Sequence, residues 1–284
     1  MVSWLIDKPQ RITFDGPVNE LDVHMINGRL NVVGTDGPAR IEVARISRVP
    51  LLVNHRNGRI TVRHRHIPRW PGLLWWLGQF GRRYRSEVSI AVPVGTSVNL
   101  NLTSGAVIVT GVRTATHVDV VSGHVTLMGL DGRTAAKVVS GSIEVLGAAG
   151  ELVVETVSGE LIVADSSARQ VAATTVSGAI TCDLDNPRDS EIWLGTTSGN
   201  ITIRIREDSD VTARLQTVSG RITSGFPQLV PSVGPWLKTS RGVIGAGHGK
   251  LSASSTSGSI ALLARAVDDE SVDHVPADEA GDLA

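Results

Sequence analysis

The sequence predicts an all-β fold, a single-stranded parallel β-solenoid of about eleven short Ser-Gly repeats, and three observations carry that expectation. A Ser-Gly pair returns about every eighteen residues, an aliphatic residue sits two positions after each glycine, and apolar and polar residues alternate between the pairs. The glycines are Gly105, Gly123, Gly141, Gly159, Gly178, Gly199, Gly220 and Gly258, spaced by 18, 18, 18, 19, 21, 21 and 38 residues. The long gap holds a degenerate copy at Gly242, and Asn27-Gly28 and Asn57-Gly58 are earlier variants. A fixed period near twenty residues is how stacked repeats look in sequence.

Within the unit, the strand after the turn comes first. Leu30, Ile60, Val107, Val125, Ile143, Leu161, Ile180, Ile201, Ile222, Ile244 and Ile260 follow the eleven glycines, and Val109, Leu127, Val145 and Val163 come two residues later with polar residues between. That alternation is a strand with one buried face. A second break follows at Gly111, at Gly129 with Asp131-Gly132, and at Gly147 with Gly150. The returning strand points Val118 and Val120, Ala136 and Val138, or Leu152 and Val154 inward and re-enters the next Ser-Gly turn.

Such a unit builds either a solenoid coil or a hairpin of an antiparallel meander or sandwich. The solenoid is the expected form because the Ser-Gly pair keeps its place through small insertions, whereas a one-residue slip in a meander would invert the buried face. Eleven coils would make a rod of roughly 50 Å. The glycine is expected to supply positive φ at the corner, and the serine hydroxyl to bond local backbone there.

The ladder Val-Val-Ser-Gly-His, Val-Val-Ser-Gly-Ser, Thr-Val-Ser-Gly-Glu, Thr-Val-Ser-Gly-Ala and Thr-Thr-Ser-Gly-Asn resembles a bacterial family of β-strand-repeat proteins, catalogued under an adhesin label with no established function. The opening run from Val18 to Val32 is similar to the same family, and the resemblance covers about residues 11 to 264. It implies a β-solenoid-like fold and no known catalytic residues.

One domain is expected over residues 1–265, interrupted by an Arg/Trp-rich insertion at about 63–86 and followed by a disordered acidic tail at 266–284. From Arg45 to Arg85 the chain holds ten arginines and no Asp or Glu, and residues 70 to 84 contain five of its ten aromatics. Arg63, Arg65, Arg69, Trp70, Trp75, Trp76, Phe80, Arg82, Arg83 and Arg85 are therefore the candidate membrane- or partner-binding residues. Indoles would enter the headgroup boundary while guanidinium groups meet anionic lipid. An alternative puts the same residues on nucleic acid, arginines on phosphates and indoles on unpaired bases. A third reading folds the segment over the open end of the stack as a cap. The tail carries seven acids and no Lys or Arg; the other 27 basic and 21 acidic groups leave about +6, so the tail is expected to compete for the arginine-rich segment.

Several chemistries are not encoded. No column of acids or bases recurs at one position of the repeat, and His117 with Asp119 lacks an evident nucleophile. Asp183, Asp185 and Asp189 around Asn186-Pro187 lack glycine-paced calcium spacing and read as a turn. No catalytic, cofactor-binding or metal residues are expected, and the single cysteine, Cys182, reads as a core thiol. The N-terminus lacks a basic region followed by an apolar one, and the longest uncharged apolar stretch, Trp70 to Gly81, falls short of the roughly twenty residues a spanning helix needs. The expected protein is thus a non-enzymatic cytoplasmic scaffold or adhesin-like binding and self-assembly protein, peripheral on an anionic membrane, with an unknown protein or its own copies as partner.

Overall fold

Alternating β-branched and polar residues favour extended backbone with one face to the core, and the chain forms strands wherever that pattern holds. The computed structural model describes residues 2–47, 49–64, 85–184 and 189–266. Its strands are β1 (Val2–Ile6), β2 (Gln10–Thr13), β3 (Glu20–Thr35), β4 (Arg40–Ile46), β5 (Leu51–Arg56), β6 (Arg59–His64), β7 (Arg85–Pro93), β8 (Ser97–Thr110), β9 (Thr116–Met128), β10 (Arg133–Ser140), β11 (Ile143–Leu146), β12 (Glu151–Ser158), β13 (Leu161–Ser166), β14 (Gln170–Ser177) and β15 (Ile180–Leu184). They continue as β16 (Glu191–Ser198), β17 (Ile201–Arg206), β18 (Val211–Ser219), β19 (Ile222–Ser224), β20 (Val230–Val233), β21 (Lys238–Ile244), β22 (Gly249–Ser257) and β23 (Ile260–Arg265). There is no helix among the described residues.

The coils stack in parallel, and equivalent residues form columns through the body. Val118 pairs with Leu100 and Ala136, and Ile143 with Val125 and Leu161. Strands entering the Ser-Gly corner form one side of the body, and strands leaving it form the other. Their inward residues, among them Leu100, Val118, Ala136 and Leu152 facing Val107, Val125, Ile143 and Leu161, share one aliphatic core. The second edge turns at Gly111, Gly129 and Gly147, and is sealed by Val112, Leu130 and Ala148. Cys182 is buried in this core, where loss of water and the neighbouring Asp183 push its thiol up to about 12.

At the Ser-Gly corner the layers touch backbone to backbone. A Cβ on Gly123, Gly141 or Gly159 would lie 1.7 or 1.8 Å from the carbonyl oxygen of the glycine one layer back. Six corner glycines also have positive φ, but Gly178, Gly220 and Gly258 share the close approach without it. Space, more than φ, is thus what the column requires. The serines do not clasp the corner as expected, because their side chains face out. Inward hydroxyls three residues before the glycine do so instead: Thr196 Oγ1 donates to Gly178 O (3.4 Å), Ser255 Oγ to Gly199 O (3.1 Å) and Thr217 Oγ1 to Gly258 O (2.8 Å).

Three expectations are corrected. The stack is not purely parallel: β1, β5, β2 and β4 at one end, and β21 and β20 at the other, run antiparallel to their neighbours. A bare parallel end would expose a regular row of unpaired backbone groups. Here the outer strands are short, Pro231 interrupts β20, and Trp4, Phe14 and His55 pack edge to face in the first cap. Among the described residues the glycine column holds nine copies, not eleven: Gly28, Gly105, Gly123, Gly141, Gly159, Gly178, Gly199, Gly258 and Gly220. Asn57 (φ 51°) and Gly58 (φ 74°) form the two-residue turn of the β5–β6 hairpin, and Gly242 lies in antiparallel β21. The layers, finally, do not follow chain order. β22 lies between β16 and β18, and β23 between β17 and β19, so the last coil is inserted one layer inside the end. Ser224 and Ala246, four residues after Gly220 and Gly242, are exposed.

A candidate binding groove along the Ser-Gly corner

The residue before each corner serine points outward, and in five layers it is valine. Val121, Val139, Val157 and Val176 are each 44 to 52% exposed, an aliphatic ladder over four consecutive layers left in water on the outer surface, and Val218 stands apart beyond Thr197 and Thr256. Two residues earlier on the same outward face runs a polar column of His24, Asn101, Asp119, Lys137, Glu155 and Thr174. Between the two columns lies a groove of about 710 Å³, beginning at His24, Met25 and Ile26 and ending at Val176.

The charges of this groove are satisfied locally. Lys137 Nζ reaches Glu155 at 2.9 Å, and that hydrogen bond, with the Glu155 charge, raises the lysine pKa. His117 Nε2 meets Asp119 at 2.9 Å, and His24 meets Asp22 at 2.9 Å. The apolar wall has no such partner. An extended segment could bury the valines while its polar groups meet the paired charges, with roughly 25 cal/mol favourable per Å² of apolar surface covered.

The root of the Arg/Trp-rich excursion sits at the mouth of this groove. In the layer beside β3, the pairing of β6 runs as far as Arg63 opposite His24, and β7 begins opposite Asn27 with Arg85. The excursion therefore leaves and returns at the Ser-Gly corner, and both arginines are exposed. Arg65, Arg69, Trp70, Trp75, Trp76, Phe80, Arg82 and Arg83 lie outside the described residues, as does the tail from Val267. Because β5 and β4 already cover the layer from which the excursion departs, that layer does not depend on it for a cap.

The polar clusters argue for structural roles. His124 Nδ1 lies 2.8 Å from Ser142 Oγ, a pair that the eighteen-residue period places in register. The next acid in that column, Glu160, falls beyond the serine, where it cannot orient the imidazole as a triad requires. Asp183 accepts hydrogen bonds from Arg204 and lies 3.5 Å from Arg265, so it ties neighbouring layers together. Among the described residues no three His, Cys, Asp or Glu side chains gather as a metal site, and no helix is long and apolar enough to cross a membrane. The outward valine ladder escaped the sequence reading because a valine before Ser-Gly looks like any core valine until the corner sets its direction.

A two-sided stack of short strands, parallel in its middle and closed by antiparallel strands, defines a β-solenoid-like repeat protein. The chain belongs to the Toastrack DUF4097 family, whose profile matches residues 39–263. Among solved structures it is similar to a "putative adhesin" from Bacteroides fragilis, at 12% identity and a TM-score of 0.49, over 92% of this chain and 97% of that one. It is also similar to a "putative cell adhesion protein" from Clostridium sporogenes, at 9% identity and a TM-score of 0.24, over 91% of this chain and all of that one. No curated protein matches the chain.

Proposed function

We propose that this protein is a non-enzymatic, adhesin-like binding scaffold whose corner groove receives an extended segment of a protein partner. The observation that carries the reading is the ladder of half-exposed valines, an apolar stripe in a protein whose other outward positions are mostly polar. Arg63 and Arg85, which flank the excursion, lie at the same corner. The excursion's arginines and tryptophans add a contact to anionic membrane, and nucleic acid is the competing ligand for that segment.

The groove is tested by placing a photo-crosslinking residue at Val139 or Val157 in the native cell, with Val243, exposed on β21, as control. Discrete adducts at the two groove positions and none at Val243 support the reading. The same adducts at all three positions, or none at the groove, overturn it. For the excursion, an Arg82→Ala/Arg83→Ala/Arg85→Ala variant is compared by vesicle flotation and by oligonucleotide gel shift at one salt concentration. Loss of flotation alone supports the membrane contact, and loss of the gel shift alone rejects it.

A further inference from the structure

From Val211 to Ala266 the chain contains no Asp or Glu, and this stretch builds the end of the stack remote from the excursion. Its outermost strands on the first side are β18, β21 and β20. Arg214 stands directly opposite Arg241, and Arg241 opposite Val230, while Lys238 stands opposite Val233. Like charges facing one another across strands oppose pairing. Among the described residues, however, no carboxylate meets Arg214, Arg221, Lys238 or Arg241. Lys238 Nζ donates to Gly220 O at 2.6 Å, which holds the ammonium at the corner, and Arg221 follows that glycine directly.

The same end carries the three most exposed large apolar side chains among the described residues: Trp236 at 84%, Val233 at 78% and Val230 at 69%. Trp236 lies at the tip of the β20–β21 hairpin, where Gly234 N donates to Leu237 O at 3.0 Å. Beside it opens a cavity of about 600 Å³ bounded by Arg221, Lys238 and Val233, with the hydroxyl-bearing residues Thr223, Ser232 and Thr239. A projecting apolar tip next to a cationic, hydroxyl-lined recess matches the boundary of an anionic bilayer, with indole at headgroup depth and phosphate between the cations.

We infer that this end cap is a second, independent membrane contact: the Gly234-Pro235-Trp236-Leu237 tip enters the interface of an anionic phospholipid bilayer, and Arg221 and Lys238 hold a headgroup phosphate. The contact goes beyond the groove and the excursion and needs neither of them.

The test is flotation of the full chain on vesicles of equal phosphatidylglycerol and phosphatidylcholine, and on phosphatidylcholine alone, at matched ionic strength. Binding is expected on the anionic vesicles and is expected to weaken with salt. Val233→Ser/Trp236→Ser and Arg221→Gln/Lys238→Gln should each lower it by about tenfold or more, while circular dichroism and the melting temperature stay near wild-type values because Val233, Trp236 and Arg221 are exposed and a glutamine amide in place of the half-buried Lys238 remains a donor for Gly220 O. The excursion variant Arg82→Ala/Arg83→Ala/Arg85→Ala, run alongside, separates the two contacts. Loss of binding in the hairpin variants supports this inference whatever the excursion variant does. Wild-type flotation of the hairpin variants, no binding by the wild-type chain, or displacement from the recess by inorganic phosphate without any vesicle binding overturns it.

Discussion

Gly258 stacks directly on Gly199. A Cβ at Gly258 would stand 1.8 Å from the Gly199 carbonyl oxygen, and Gly220 packs on Gly258 in turn. The layer that comes last in sequence is thus clamped between two layers that precede it.

Backbone contact of this kind leaves no room for a side chain. Gly141→Ala would put a methyl carbon 1.7 Å from Gly123 O at a φ of 138°, and both layers are held by strand pairing on each side. Neither can yield without breaking the column, so a loss of more than about 3 kcal/mol is expected. Gly95→Ala, with nothing within 4 Å of its Cβ, should stay near wild type. Urea unfolding of the two variants checks the contrast, and equal midpoints would reject backbone contact as the reason for the repeat's glycine.

The inserted layer makes the C-terminal strands indispensable to strands before them. In a stack that followed chain order, removing β22 and β23 would trim one end. Here it leaves β16 and β17 with an open edge and deprives β18 of its parallel neighbour. A chain ending at Ala246 should lose hydrogen-exchange protection throughout Val211–Ser219 and aggregate through the exposed edge. Retained protection at Ala213 and Leu215 would show that β18 docks elsewhere. A chain ending at Ala266 should melt like the full chain.

Much of this body can be read from the chain, for physical reasons. Where the period is a strict eighteen, from Val107 to Leu161, equivalence in sequence is equivalence in space, so the inward positions Ile143 and Leu161 are found buried as expected. The reading fails where a different rule governs the same residue type. Asn57-Gly58 has the composition of a two-residue hairpin turn, yet it falls near enough to the repeat pattern to pass for a copy. Gly234-Pro235 marks the turn that reverses β21, and the gap of 38 residues between Gly220 and Gly258 conceals it. No local pattern in the sequence records that β22 pairs with both β16 and β18. The groove and the cationic cap became visible only once the corner and the register had assigned each side chain an outward direction.

The loop before β22 carries a titrating pair. Asp210 Oδ2 lies 2.6 Å from His248 Nδ1, and Asp210 Oδ1 accepts the backbone N–H groups of Gly247 and His248. The hydrogen bond from His248 lowers the Asp210 pKa below 3.8, and the hydrogen bond to Asp210 raises the His248 pKa above 6.5. The histidine contribution is therefore complete below about 6.5 and is lost as pH rises through its raised value. The aspartate contribution is complete above about 3.8 and is lost as pH falls through its lowered value. The pair supports the fold most between those two limits, and salt should weaken it because the histidine is exposed. Asp210→Asn should bring the His248 titration, followed by NMR, back toward 6.5 and flatten the melting temperature across that window. An unchanged His248 midpoint would dismiss the pairing.

Charge at the two ends of the stack also bears on the acidic tail. The tail was expected to compete for the arginine-rich excursion, but the chain leaves β23 at Ala266, in the layer adjoining β18 and β19. Arg214, Arg221, Lys238 and Arg241, which meet no carboxylate among the described residues, belong to the strands and the corner that adjoin and close that end, whereas the excursion is rooted some eight layers away, roughly 40 Å at strand spacing. If the seven acids compete for cations, they do so first at the end cap. A chain ending at Ala266 should float on phosphatidylglycerol vesicles several-fold more tightly than the full chain at low salt, and the difference should shrink as salt is added. It should also vanish in the Arg221→Gln/Lys238→Gln background. Persistence of the gain in that background, with its loss in Arg82→Ala/Arg83→Ala/Arg85→Ala, would return the tail to the excursion.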